Sequence, residues 1–327
     1  MKAIIINQPG GIEVLQLENI AEPETREGHV KIRIRAFGLN KAETYYRAGN
    51  YGEINEPRIP GIEAVGEVIE DKSGAFQVGQ KVITAMGGMM LEKHGSYAEY
   101  VVAPAANVLA VNTSLSWEEL AAIPEAYLTI WGALDKNLNI QTGQTLLVRG
   151  GTSSVGLAAI VYAKAKGLKV IATTRNKENA ERLYIIGADD VVIDDECISE
   201  KVRSIYPQGV DCALEIIGAP TVTDTLQTVK HWGQVCVIGL LGGAPVLDHF
   251  GLMSDLPATV KLSFFSSGLL GSTELPINES PIQWIIEKIE SKEMPSLLSK
   301  TFEFDQIREA HKLMDSNTSL GKIVVKL

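Results

Sequence analysis

LLVRGGTSSVGLAAIVYAKAKGLKVIATTR, residues 146–175, decides how the rest of the chain is read. It opens as an apolar strand and breaks at Gly150-Gly151. It continues as a helical stretch from Gly156 and closes on a second apolar strand. Glycines after a strand permit a sharp turn, and a small residue at the helix start permits close packing on the sheet. The loop GGTSSVG therefore presents the amides of Gly151, Ser153, Ser154, Val155 and Gly156 at a helix N-terminus. Those donors and the helix dipole suit a pyrophosphate. Ser153 stands where the full G-x-G-x-x-G pattern has its middle glycine, and both serines offer hydroxyl donors. A tight βα turn without a ligand is the competing reading; the βαβ context favours the phosphate.

Outward from this unit the alternation continues. Strands are expected at DVVI, CALEII and QVCVIG, a further apolar strand at TVKLSFFS, and helices at GLAAIVYAKAKG and KENAERLYIIG. Apolar strands separated by helices imply a parallel sheet buried on both faces. The first part of the chain differs. HVKIRIRAFGL, GIEAVGEVIE, GQKVITA and GSYAEYVVAP read as strands, the first by its alternation of Val30, Ile32 and Ile34 with basic residues. SWEELAAIPEAYLTIWGALDK reads as helical, with Ser116 and Glu119 as a capping box. SPIQWIIEKIES and DQIREAHKLMDSN read as helices, KTFEF and GKIVVKL as strands. The expected fold is α/β, a doubly wound parallel Rossmann sheet at 124–266 inserted in a β-rich domain made of 1–123 and 267–327.

A formal net charge of −10 argues against a nucleic-acid partner, because phosphate backbones need a basic face. No stretch is apolar for long enough to span a bilayer, and the N-terminal run is too short for a signal peptide, so a cytoplasmic place is expected. Three cysteines without C-x-x-C spacing fit a reducing compartment.

The end of the second strand selects the dinucleotide. An acid there would bind the ribose 2′-hydroxyl of NAD. Here Thr173 and Thr174 lead to Arg175 and Lys177, with no acid before Glu178. Arg175, Lys177 and the Thr174 hydroxyl suit a 2′-phosphate, so NADPH is the expected cofactor. A solvated Arg and Lys opening a helix is the competing reading.

The chain resembles the medium-chain dehydrogenase/reductase superfamily, in its zinc-free quinone oxidoreductase branch. The resemblance rests on FGLNKAETYYRAG, PGIEAVGEV, GSYAEYVVAP, PEAYLTIWGAL, VRGGTSSVGLAA, GADDVVID and NTSLGKIVV. It implies a GroES-like fold for the β-rich domain. Zinc-dependent relatives place a cysteine after FGL and a histidine in PGHE; this chain has Asn40 and Ile62, so no metal is expected and Glu63 is read as structural. Without a Lewis acid, hydride donation to a quinone or an α,β-unsaturated carbonyl is the implied chemistry.

The resemblance further implies Asn40 and Tyr46 as catalytic residues: Asn40 near the nicotinamide ribose and acceptor, Tyr46 as a hydrogen-bond or proton donor, with Tyr45 and Tyr51 similar in chemistry. It implies cofactor contacts at Thr129, Gly218, Gly239, Leu240, Leu241, Phe264, Phe265 and Ser266, and more loosely at Asn317 and Lys322. Packing or turn roles compete at each. TVKLSFF is the segment expected to pair with its twin in a homodimer. Two rival functions stand beside the first: a 2-enoyl thioester reductase, and a regulatory protein that binds NADPH without turnover.

Overall fold

Met1–Leu128 and Ser267–Leu327 gather into one unit of the computed structural model, which describes residues 1–327, and Thr129–Ser266 gathers into the other. In the first unit β1 (Lys2–Ile5) pairs antiparallel with β2 (Gln16–Asn19). All four residues of β2 are exposed, so no alternation marks this strand in the sequence.

The remaining strands of this part build one sheet. They are β3 (His29–Gly38), β4 (Glu63–Asp71), β5 (Lys81–Ala85), β6 (Tyr100–Pro104) and β7 (Val108–Ala110), with α1 (Lys41–Arg47) between β3 and β4. Val30, Ile32 and Ile34 of β3 are all buried, as their alternation predicts.

Ser116 caps α2 (Trp117–Leu120): its Oγ accepts from the Glu119 amide at 3.2 Å, and the Glu119 carboxylate accepts from the Ser116 amide at 3.2 Å. The stretch read as one helical segment is in fact two. After α2 the chain turns and restarts as α3 (Pro124–Trp131), which runs into a π-helical turn at Gly132–Asn137. Pro124 explains the break, since its missing N–H and fixed φ suit only a first turn.

The second unit alternates as expected: β8 (Thr145–Arg149), α4 (Ser154–Ala165), β9 (Lys169–Thr174), α5 (Ala180–Ile185), β10 (Asp190–Ile193), α6 (Ser199–Ile205), β11 (Val210–Glu215), α7 (Ala219–Leu226), β12 (Val229–Val237) and β13 (Lys261–Phe264). The sheet is wholly parallel with order β10-β9-β8-β11-β12-β13. This is the doubly wound order, and it reverses between β8 and β11. The strand expected at TVKLSFFS is short and lies at the sheet edge, with Phe264 61% exposed.

The chain then returns to the first unit through α8 (Ile282–Glu290), β14 (Leu298–Glu303), α9 (Ile307–Ser316) and β15 (Lys322–Lys326). β15 lies between β14 and β3 in the larger sheet. No helix is long and apolar enough to cross a membrane.

The core of the first unit contains a buried polar line. Phe37 stacks on Tyr97 at 4.5 Å between ring centroids. His311 is fully buried between Tyr97 and Arg47. Arg47 only donates, so its 3.0 Å contact makes His311 Nδ1 the acceptor, and Nε2–H then donates to Tyr97 Oη at 3.1 Å. Burial, and then the Arg47 charge, lower His311 from 6.5 to about 3. Above pH 6.5 the imidazole is neutral in both folded and unfolded chains. Between pH 6.5 and 3 the unfolded chain binds a proton that the folded chain refuses, so this group's stabilisation is lost as pH falls. His311→Gln keeps an acceptor and a donor but does not titrate. Its stability deficit relative to the wild type should therefore shrink between pH 7 and pH 4.5, by roughly 1 kcal/mol per pH unit. Thermal melts at the two pH values check this; a constant deficit would mean that His311 protonates in the folded state.

Candidate active site

The carboxyl ends of β8 and β9 carry the glycine loop. Gly150 has φ +92°, which glycine adopts without strain. Its amide donates to Thr173 Oγ1, and the Gly151 amide to the Thr173 carbonyl, both at 3.1 Å. A Cβ on Gly156 would stand 2.4 Å from the Gly150 carbonyl oxygen, so only glycine lets α4 start this close to the strand. Ser154 and Val155 open α4, and first-turn amides have no acceptor within their own helix.

Two hydroxyls expected to face a ligand are spent inside the protein. Ser153 Oγ donates to the Gly150 carbonyl at 2.9 Å and accepts from the Gly156 amide at 3.0 Å, so it caps α4. Thr174 is buried, and its Oγ1 donates to the Asn176 carbonyl at 3.1 Å and accepts from the Asn176 amide at 3.2 Å. Arg175 and Lys177 are both exposed just beyond β9.

Gly218 and Gly239 occupy the ends of β11 and β12 as expected, and packing explains both. A Cβ on Gly218 would meet the Gly239 carbonyl at 2.8 Å, and one on Gly239 would meet the Ile216 carbonyl at 2.2 Å. Leu240 is half-buried and Leu241 exposed in the segment that crosses over, where the Gly242 amide donates to the Ile217 carbonyl at 2.7 Å. Phe265 is a packing residue: a Cβ on Gly132 would lie 2.2 Å from its ring. Phe264 is exposed on the sheet edge, with Ser266 two residues on, and Thr129 is buried in α3.

The first unit holds the other candidates. Asn40 precedes α1, and its side chain is fully engaged rather than free for an acceptor. Nδ2 donates to Glu63 Oε1 at 2.9 Å and to Glu43 Oε1 at 3.2 Å, while Oδ1 accepts from Lys322 Nζ at 2.5 Å. Lys322 was expected against a cofactor. Instead it is buried and pairs with Glu63 at 2.5 Å. The second Glu63 oxygen accepts from the Glu125 amide at 2.8 Å. Glu43 accepts from the Asn40 and Ile62 amides, at 2.6 and 3.3 Å. Burial raises its carboxyl to about 8, against the opposing pull of Lys322 and the Asn40 side chain.

Tyr46 is 9% exposed and its ring packs in the core of the first unit; burial raises its phenol, and the Arg58 side chain, which hydrogen-bonds it, opposes that rise. Tyr45, one helical step of 100° away, is half-exposed, and Tyr51 is 53% exposed. Partial burial and the neighbouring Glu43, Tyr45 and Glu125 raise the Tyr51 phenol. Tyr45, Tyr51 and Glu43 are thus the tyrosine–carboxyl group this unit offers. Asn317 is exposed at the end of α9 with φ +56°, and a left-handed helix stop accounts for an asparagine there.

Sequence reading missed Arg149, a charge at the end of an otherwise apolar strand and wholly buried. It also missed Glu43, which accepts from Asn40 three residues back and from the Ile62 amide nineteen residues on. For Arg149 the signal was present: an ionised group inside an apolar run has to find partners.

The zinc-binding dehydrogenase family matches residues 154–276, and the alcohol dehydrogenase GroES-like domain matches residues 26–113. The quinone oxidoreductase of Mus musculus is 31% identical over 253 residues, with 74% of each chain covered. The chain belongs to the medium-chain dehydrogenase/reductase superfamily, in its quinone oxidoreductase branch. The human quinone oxidoreductase matches it at 28% identity over 334 residues, 100% of this chain and 98% of the relative. A mycobacterial protein solved in complex with NADPH shares the fold with TM-score 0.88 at 26% identity, covering 100% of both chains. The quinone oxidoreductase of Escherichia coli, also solved with NADPH, reaches 0.89 at 22% identity over 100% of both chains, a likeness of fold. No three His, Cys, Asp or Glu residues converge, and both Glu63 oxygens are taken beside a buried ammonium.

Proposed function

We propose that this oxidoreductase reduces a quinone or an α,β-unsaturated carbonyl with NADPH and without a metal. One observation carries the reading: Arg175 and Lys177 stand exposed together at the carboxyl end of β9, beside a glycine loop that opens α4. In this reading the amides of Ser154 and Val155 hold the pyrophosphate, since the Gly151 amide is already bonded to the Thr173 carbonyl, and Arg175 and Lys177 hold the 2′-phosphate. The nucleotide supplies a hydride when bound. A tyrosine phenol of α1 or of the segment after it, Tyr45, Tyr46 or Tyr51, is the protein's proton source at the acceptor oxygen; Tyr45 and Tyr51 are the more exposed of the three. Asn40 and Glu63 set the position of α1 through their mutual hydrogen bond and touch no acceptor. The β13 edge, with Phe264 exposed, is the surface for a twin chain.

The test is a panel of quinones, enones and 2-enoyl thioesters, followed at the NADPH absorbance band. Turnover with quinones or enones is expected, and Tyr45→Phe with Tyr51→Phe should slow it by roughly 10–1000-fold. Turnover confined to thioesters would shift the reading to the thioester reductase. NADPH binding with no oxidation by any acceptor would leave a sensing protein. Light scattering on the same sample reads the dimer, and a monomer would remove it.

A further inference from the structure

We propose that Arg149 is a positioning residue that holds the Asp194–Ser199 loop ready for the adenosine end of the nucleotide. The inference rests on the NADPH reading above. Arg149 ends β8, immediately before the glycine loop, and its side chain is fully buried. All three guanidinium nitrogens are used. Nε and Nη2 grip the Asp194 carboxylate in a fork at 2.8 and 2.9 Å. Nη1 donates to Asp224 Oδ2 at 2.8 Å, to Thr225 Oγ1 at 3.0 Å and to the Thr221 carbonyl at 3.1 Å, all on α7. Nη2 also donates to the Glu196 carbonyl at 3.0 Å. A planar fork with five donors satisfies this arrangement; an ammonium with three does not.

The loop so held is not relaxed. Glu196 has φ +85°, a region that strains a residue with a side chain and persists only where its surroundings over-determine it. The surroundings here are Arg149 on its carbonyl and Asp194 Oδ1 on its amide at 3.1 Å. Asp224, the other anchor of Arg149, accepts from the Ile198 and Ser199 amides at 2.9 and 3.2 Å and so pins the far end of the loop. The near end is tied to the residues that read the ribose: the Asp194 amide donates to the Thr174 carbonyl at 2.9 Å, next to Arg175. In an open α/β sheet the ligand binds beyond the carboxyl ends of the strands at the switch point, and β8 flanks that point. A strained loop held at that edge by a buried arginine is a preorganised wall.

The experiment compares wild type, Arg149→Lys and Asp224→Asn by fluorescence titration with NADPH and with NADH. Amide hydrogen exchange is read over residues 194–199 in the same samples. The expected result is that Arg149→Lys weakens both nucleotides by about tenfold. The NADPH-to-NADH ratio should stay unchanged, exchange in 194–199 should quicken, and NADPH should slow that exchange in the wild type. A merely structural role would lower the melting temperature and leave the affinities of the folded protein alone. Affinities within twofold of wild type in a folded Arg149→Lys protein overturn the proposal. Where that variant does not fold, Asp224→Asn, which keeps a hydrogen-bonding side chain, decides by the same criterion. Wild type that binds NADPH without slowing exchange at 194–199 sinks the inference alone; wild type that binds neither nucleotide ends the NADPH reading with it.

Discussion

Lys322→Met is expected to destabilise the protein by about 3–5 kcal/mol, the usual cost of stranding one partner of a buried ion pair. Glu63 and Lys322 are both buried, and their charges meet at 2.5 Å. Removing the ammonium leaves the Glu63 carboxylate with two N–H donors and no counter-charge, and it frees the Asn40 oxygen as well. The double variant Glu63→Gln/Lys322→Met removes both charges. It should recover much of the loss, because the pair attracts only about as strongly as its desolvation costs. Urea unfolding of the three proteins measures this. A single-variant cost below about 1 kcal/mol would mean that water already reaches the pair.

Arg175→Ala is expected to weaken NADPH by about 1.5–3 kcal/mol, roughly 10–150-fold, and to leave NADH nearly unchanged. Arg175 is exposed at the end of β9, so its loss costs the fold little and the binding change is read cleanly. Lys177, two residues on and also exposed, keeps part of the attraction, so the loss should stop short of abolishing binding. Calorimetric titration with each nucleotide decides. Equal losses for both would show that Arg175 does not read the 2′-phosphate.

The second unit was legible because its signals are local. Each strand is a short apolar run, each loop has its glycine, and the order of the elements dictates the sheet. The capping box at Ser116 was legible for the same reason. Illegible features depend on direction or on distant partners. Tyr45 and Tyr46 are adjacent in sequence, but a helix turns them 100° apart, and nothing local says which one faces the core. The hydroxyls of Ser153 and Thr174 have the right chemistry for a ligand, and only the backbone geometry shows them turned to their own chain. The Asn40–Lys322 contact spans 282 positions, which no spacing argument reaches.

The placing of β15 between β14 and β3 sets the order in which the protein can be made. Every strand of the parallel sheet has been synthesised by Phe264, well before Lys322, so that unit can close while synthesis continues. The larger sheet cannot: its interior strand begins at Lys322, the residue whose ammonium neutralises Glu63. Until it arrives, β3 has an open edge and a buried acid has no cation, so the half of the molecule made first is the half completed last.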